Sequence, residues 1–162
     1  MLYSSHSQPD SRPSLNSHAR QRDGRDFVNS DMQTTLDAAD TGDRPVYVGS
    51  VDQYCAALGC VDLSSCERDM LRAHLRAPHH CITGLDLAFA AGHFGPRIGL
   101  KKYGRIGRKI AMAAGLPQCQ TDVSEYLAAI FSLADGRQME TGDWHWVLHP
   151  TLAAALSKRG IS

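Results

Sequence analysis

The sequence predicts an α+β fold that is mainly helical, with a C-terminal β-hairpin and a final short helix. Ser50, Ser64 and Thr83 each stand three positions before a Gln, Glu or Asp, the spacing of helix N-terminal capping boxes. When residues 100–114 are drawn as a helix, the apolar and the basic side chains fall on different faces. Residues 144–148 alternate in the way of a half-buried strand. These three signals together predict helices packed against a small sheet.

Charge is unevenly distributed along the chain of 162 residues, of which 43% are hydrophobic. The 17 basic and 17 acidic side chains cancel in the total. Residues 76–120 nevertheless hold seven basic side chains and a single acid, Asp86, whereas residues 1–75 hold seven basic and eleven acidic ones. The neutral total therefore conceals a basic region, which favours a negatively charged partner.

The first 44 residues differ in composition from the rest. They are rich in Ser, Asp, Arg, Gln and His, and their apolar side chains are scattered. Such a segment cannot bury enough surface to offset its ordering entropy, so residues 1–44 are predicted to be a disordered tail and residues 45–162 a folded domain. Met32 is as plausible a translation start as Met1. Without an apolar leader or a membrane-length apolar run, the expected location is cytoplasmic, with no membrane contact.

The folded domain is expected to open with a short extended run at 45–48. Ser50 then has the capping spacing for a helix over 51–58, ended by Gly59. Ser64 has the same spacing and opens a second helix to about residue 76, where Pro78 prevents much continuation.

A third helix is predicted over 84–91, with Thr83 as its cap and Gly92 at its end. The small residues Ala88 and Gly92 are spaced as in helix-turn-helix units, where two helices cross closely. Residues 93–99 form the predicted turn to the basic helix.

The stretch 100–114 is central to the functional prediction. At about 100° per residue, one stripe holds Tyr103, Ile106, Ile110, Ala113 and Ala114. Gly104 and Gly107 lie beside that stripe, where a neighbouring backbone can approach closely. A separate face carries only cations: Lys101, Lys102, Arg105, Arg108 and Lys109. An anchored apolar face and a cationic face that meets phosphates are typical of a nucleic-acid-reading helix; a solvated amphipathic helix is the alternative.

Residues 122–149 allow two interpretations. The favoured one is a hairpin, with strand 126–133 and strand 143–149 joined by a polar loop at 135–142, because the alternating second segment needs a partner. In the other interpretation, Asp122 begins a helix that runs through Leu133.

The last stretch of the chain carries both tryptophans and a helix signal. Trp144 and Trp146 would lie on one face of their strand, as core residues under the sheet or, alternatively, as a base-stacking platform. Pro150 at a first helical position predicts a final helix over 151–159, ended by Gly160.

The element order from Ser64 onward resembles a winged helix-turn-helix domain. The residues that carry this resemblance are Ile82-Thr83 with Leu87-Ala88-x-Ala90-Ala91-Gly92, Tyr103-Gly104-Arg105-Ile106-Gly107-Arg108, and Trp144-x-Trp146 with Pro150-x-Leu152. They also resemble a set of uncharacterised bacterial proteins with Tyr-Gly-Arg and Trp-x-Trp signatures. The resemblance covers residues 64–162.

In winged domains the third helix typically enters the major groove, and the hairpin touches the DNA backbone or the minor groove. The resemblance therefore implies DNA contacts from the basic helix and a wing contact from Arg137 in the predicted hairpin loop. The full set of candidate DNA-binding residues is Lys101, Lys102, Arg105, Arg108, Lys109, Arg97 and Arg137.

Five cysteines and eight histidines raise the question of a metal or catalytic site. Cys55, Cys60, Cys66 and the run His79-His80-Cys81 match no structural zinc spacing. The histidines match no nuclease or hydrolase spacing, and His79-His80-Cys81 could supply only half of a thiol–imidazole pair. Free thiols, no metal and no cofactor are predicted, and the sequence leans away from an enzyme.

The leading hypothesis is a DNA-binding protein, either a transcription regulator or an accessory DNA reader. Its expected partner is double-stranded DNA, with a homodimer as the usual way to raise affinity. Two alternatives stay open: a protein-interaction module of the same fold and, less favoured, a fragment of a nucleic-acid-processing enzyme.

Overall fold

The computed structural model describes residues 45–140 and 142–162, so the predicted disordered tail lies outside the described residues. The described helices are α1 (Val51–Cys60), α2 (Ser65–Arg76), α3 (Gly84–Ala90), α4 (Pro96–Ala113), α5 (Glu125–Ile130) and α6 (Pro150–Lys158). The described strands are β1 (Cys81–Thr83), β2 (Ala134–Gln138) and β3 (Trp144–Leu148). They form an antiparallel sheet in the order β1-β3-β2. The mainly helical α+β class is confirmed.

Capping boxes begin three of the helices, as predicted. Ser50 Oγ accepts a hydrogen bond from the backbone N–H of Gln53, whose side chain accepts one from the Ser50 N–H. The same reciprocal bonds begin α2 at Ser64 and α3 at Thr83. These local bonds satisfy N–H groups that have no partner inside the helix, which is why short-range sequence signals locate these three starts.

Two local predictions near the start of the domain are wrong. Residues 45–48 form a turn, closed by a 2.9 Å hydrogen bond from the Val48 N–H to the Pro45 carbonyl, and not an extended run. Helix α1 continues through Gly59 to Cys60. Gly59 therefore does not end α1, and a Cβ there would lie 2.8 Å from a guanidinium nitrogen of Arg159, just after α6.

The hairpin prediction is right for its second strand and wrong for its first. Residues 125–130 form helix α5, as the alternative interpretation had it. Strand β2 lies within the stretch expected to be a polar loop, and it places Gly136 opposite Trp146 of β3. Ala134 and Gly136 are buried while Asp135 and Arg137 point to the other face, because successive side chains alternate across a strand.

The core lies between the sheet and the helices. Its largest fully buried side chains are Trp146, Tyr54, Tyr103, Met70, Leu71, Leu87, Ile106, Ile110, Leu127, Ile130 and Leu133. Trp146 is therefore a core residue, as favoured over a base-stacking platform. The Tyr54 hydroxyl, within this core, donates to the Ser132 carbonyl and accepts from the Gly49 N–H. Two backbone groups thus pair this buried hydroxyl.

Candidate nucleic-acid interface

Helix α4 places the first three residues of its predicted apolar stripe in the core, with Tyr103, Ile106 and Ile110 fully buried. At the end of the stripe the prediction is wrong, because Ala113 is exposed and Ala114 is only half-buried. The helix begins at Pro96, four residues before the predicted start at Leu100. Proline is well placed in a first turn because the N–H that it lacks has no helical partner there. Arg97 and Ile98 consequently belong to the first turn of the helix and not to the preceding turn.

A neighbouring backbone approaches α4 closely at Gly104 and Gly107, as predicted, and it belongs to helix α5. A Cβ at Gly104 would lie 2.2 Å from the Tyr126 carbonyl oxygen, and a Cβ at Gly107 would lie 2.2 Å from that of Ala129. Only residues without a Cβ fit at this separation. Helix α5 therefore covers one side of α4 and fixes which face of α4 points outward.

Helices α3 and α4 cross closely, as predicted from Ala88 and Gly92. A Cβ at Gly99 would lie 2.2 Å from the Gly84 carbonyl oxygen and 2.6 Å from the Ala88 nitrogen. Sequence reasoning did not identify Gly99 as the contact on α4. The signal that could have identified it is a glycine inside a helix. Glycine there costs about 1 kcal/mol relative to Ala, so its presence indicates close packing.

The outward face of α4 carries the predicted cations. Arg97, Lys101 and Arg105 are exposed and Lys102 is half-buried. None of these four forms an ion pair with a residue that the structure describes. We call them the free cations of α4. They occupy the first three turns of the helix.

Two other predicted contact residues do have acidic partners. Arg108 forms an ion pair with Glu125 at the start of α5. Lys109 Nζ lies 2.7 Å and 2.9 Å from the two carboxylate oxygens of Glu67. Both acids come from other helices, so the run of cations in the sequence gave no sign of them. The C-terminal half of the basic face is therefore partly neutralised within the described chain.

Of the two ion pairs, the Lys109–Glu67 pair is the more buried. Glu67 has 17% side-chain exposure and also closes the capping box of α2. Burial acts to raise the pKa of Glu67, but hydrogen bonds from Lys109 and from the Ser64 N–H outweigh it, and the pKa is lowered. Glu67 is thus held as a carboxylate, and Lys109 joins α4 to the start of α2.

The structure does not bring Arg137 together with the basic helix. Arg137 lies in β2, and not in the hairpin loop as predicted, directly opposite His145 of β3. Its side chain is exposed on the sheet face opposite the one that buries Trp146. No hydrogen bond or ion pair connects it to α4 in residues 45–140 and 142–162.

A shallow cleft borders the free cations. It is lined by Ser64, Cys66, Glu67, Met70, Lys102 and Arg105, and its volume is about 130 Å³. Pockets for small organic ligands usually measure about 300–1,000 Å³. The cleft is therefore too small for such a ligand.

The histidines and cysteines of the described chain are spread over several elements. No group of three or more potential metal ligands occurs among the described residues. Cys81 Sγ lies 3.5 Å from His145 Nδ1, a pairing across β1 and β3 that the sequence did not reveal because β1 was not predicted. No carboxylate orients His145 among the described contacts, so the three-part arrangement of a thiol nucleophile is incomplete there.

Comparisons of this chain with protein-family models, with curated proteins and with solved structures found no match. In the part of the chain that the structure describes, none of the helices combines the length and the apolar character needed to cross a membrane.

Proposed function

We propose that this protein binds double-stranded DNA through the N-terminal half of α4. One observation carries the proposal: the free cations of α4 share an outward face on which no described acid pairs with them. Such a face attracts phosphates, and counterion release then supplies much of the binding free energy.

The packing of α4 supports a role in recognition. Its opposite face is anchored in the core by Tyr103 and Ile106, and its orientation is fixed by the close contacts at Gly99 and Gly104. In helix-turn-helix proteins the residues near the start of the second helix of the unit contact base edges. The free cations lie at this end of α4, which directly follows α3 and its turn.

The remaining elements are compatible with a winged helix-turn-helix arrangement. Helices α2, α3 and α4 precede the β2–β3 hairpin, but α5 lies between α4 and the hairpin, an element that the order drawn from the sequence lacked. By this interpretation the hairpin is the wing, and Arg137 lies in its first strand. Arg108 and Lys109 would reach phosphate only by leaving Glu125 and Glu67. A homodimer would supply a second half-site.

The test is a titration of the protein against duplex DNA between about 50 and 200 mM salt. Lys101→Ala/Arg105→Ala removes two free cations and is expected to flatten the slope of log affinity against log salt by about 0.9 per lost phosphate contact. Arg76→Ala/Lys158→Ala is the matched control, because it removes two exposed cations from the ends of α2 and α6. Absence of salt-dependent duplex binding by the unmodified protein would exclude the proposed function.

A second candidate, a protein-interaction module, is favoured by a different observation. Phe89 and Phe94 are 51% and 81% exposed and stack edge to face, with ring centroids 5.8 Å apart. Exposed aromatic pairs are typical anchors of protein interfaces. Phe89→Ser/Phe94→Ser is expected to leave duplex binding unchanged if α4 alone reads DNA, and to abolish self-association or protein binding if the aromatic pair is the interface.

A further inference from the structure

Ile98 is an apolar side chain in the middle of a cationic surface. It is 47% exposed in the first turn of α4. Lys101 and Lys102 lie three and four positions further along the helix, which places them beside Ile98 on the same face. The core contacts of this part of the helix come from Leu100 and Tyr103, which are buried. About half of Ile98 is therefore left in contact with solvent by the packing of the described chain.

The surface of the major groove offers one apolar group, the C5-methyl of thymine. Residues at the start of a recognition helix are the ones that reach base edges, and phosphate contacts fix the position of the helix on the duplex. Ile98 is the exposed apolar residue at that place in α4, and Arg97, Lys101 and Lys102 surround it. We infer that Ile98 packs against a thymine methyl group, so that the surface prefers an A·T pair at this point. This inference rests on the proposed DNA binding.

This inference predicts that the protein prefers thymine to uracil, which lacks the methyl group. Uracil pairs with adenine and presents the same O4 acceptor as thymine, but it lacks the methyl. An alternating dA-dT duplex carries a thymine at every base pair, so the unknown position of Ile98 along the DNA does not matter. Burying one methyl group strengthens association by about fourfold at typical hydrophobic free energies.

The experiment compares the affinity of the full chain for alternating dA-dT and dA-dU duplexes at one salt concentration. The unmodified protein is expected to bind the dA-dT duplex about fourfold more tightly. Ile98→Ala should bind both duplexes alike, with an unchanged salt slope because no charge is altered. Met112→Ala is the matched control, since Met112 is 68% exposed near the other end of α4 and should leave the preference intact.

The outcomes separate this inference from the proposed function. Salt-dependent binding to both duplexes with equal affinity would overturn the role of Ile98 and leave DNA binding in place. A thymine preference that survives Ile98→Ala would also overturn it. Failure to bind either duplex would exclude both. If Ile98→Ala instead dissociates a dimer in sedimentation while duplex preference is unchanged, Ile98 belongs to a protein interface with Phe89 and Phe94, and the inference is wrong.

Discussion

The imidazole of His74 and the hydroxyl of Tyr103 form a buried hydrogen bond, with Nδ1 and Oη 2.7 Å apart. His74 Nε2 lies 2.9 Å from the Trp146 carbonyl oxygen. Because a carbonyl can only accept, Nε2 carries the proton and Nδ1 accepts from Tyr103. Burial, and then the neighbouring Tyr54, raise the pKa of Tyr103, so its hydroxyl remains a donor. One neutral imidazole on α2 thus joins the basic helix to the sheet.

Stability is expected to depend on pH through His74. Burial lowers the pKa of His74 from 6.5 to about 4. The unfolded chain therefore takes up a proton at this residue over a range where the folded chain does not. The free energy of unfolding should be unaffected by His74 above about pH 6.5 and should fall by up to about 3 kcal/mol as the pH approaches about 4.

Urea unfolding at several pH values measures this effect. His74→Gln should be less stable at neutral pH but should show a weaker loss of stability toward low pH. His93→Gln is the matched control, since His93 is half-buried in the turn between α3 and α4 and its imidazole has no described hydrogen bond. An identical pH dependence in the unmodified protein and in His74→Gln would contradict the assignment.

The close contact between α4 and α5 can be tested with Gly107→Ala, and Gly59→Ala in α1 is the control. Gly107→Ala would place a Cβ 2.2 Å from the Ala129 carbonyl oxygen, a backbone atom that moves only with α5. We expect a loss of about 1–3 kcal/mol, as for overpacked cores. Gly59→Ala meets only the end of the Arg159 side chain, which can shift, and alanine favours a helix by about 1 kcal/mol. Thermal melting should therefore drop for Gly107→Ala and not for Gly59→Ala.

Trp146→Ala is expected to destabilise the fold by about 3–5 kcal/mol. The ring is fully buried and lies 5.7 Å from that of Phe131, so its removal leaves a cavity beneath the sheet. Trp144→Ala should have a smaller effect because Trp144 is only half-buried. Equal melting temperatures for Trp146→Ala and the unmodified chain would show that the ring is not a core group.

The parts of the fold that the sequence predicted well depend on neighbours in the chain. The capping side chains of Ser50, Ser64 and Thr83 bond to backbone groups three residues away, so their signals are complete in a short window. The apolar stripe of α4 was equally visible, because helical periodicity repeats over many residues.

The parts that the sequence did not predict depend on distant partners. Strand β2 has the composition of a loop and becomes a strand because β3 pairs with it and Trp146 covers Gly136. Strand β1 is three residues long and follows two histidines with positive φ, at His79 and His80. In the candidate site, the acids that pair with Arg108 and Lys109 lie on other helices, so the charge pattern of α4 alone could not predict them.

Lys101 and Lys109 should contribute unequally to duplex binding, although they lie on the same basic helix. Lys101 has no described ion pair, whereas Lys109 is held by Glu67. Lys101→Ala is expected to flatten the salt slope by about 0.9, and Lys109→Ala by clearly less. Lys109→Ala should in turn lower stability, because Glu67 is left without its partner. Equal changes in slope for the two variants would show that Lys109 leaves Glu67 to contact phosphate.

Arg105 is the free cation best suited to reading a base, and Arg105→Lys tests this role. Its guanidinium is exposed two turns beyond Ile98 and has no described ion pair. A guanidinium can donate to guanine O6 and N7 together, whereas a lysine keeps the charge without the planar fork. The salt slope should therefore persist in Arg105→Lys while discrimination among duplex sequences falls by about 1–3 kcal/mol.

The measurement is a competition among randomised duplexes, with Lys101→Arg as the control that retains charge at a neighbouring position. That variant keeps Arg105 and should keep the sequence preference of the unmodified protein. If Arg105→Lys also keeps it, Arg105 contacts only phosphate. Sequence preference would then have to come from Ile98 or from DNA shape, because phosphate contacts position a helix on the duplex without distinguishing its bases.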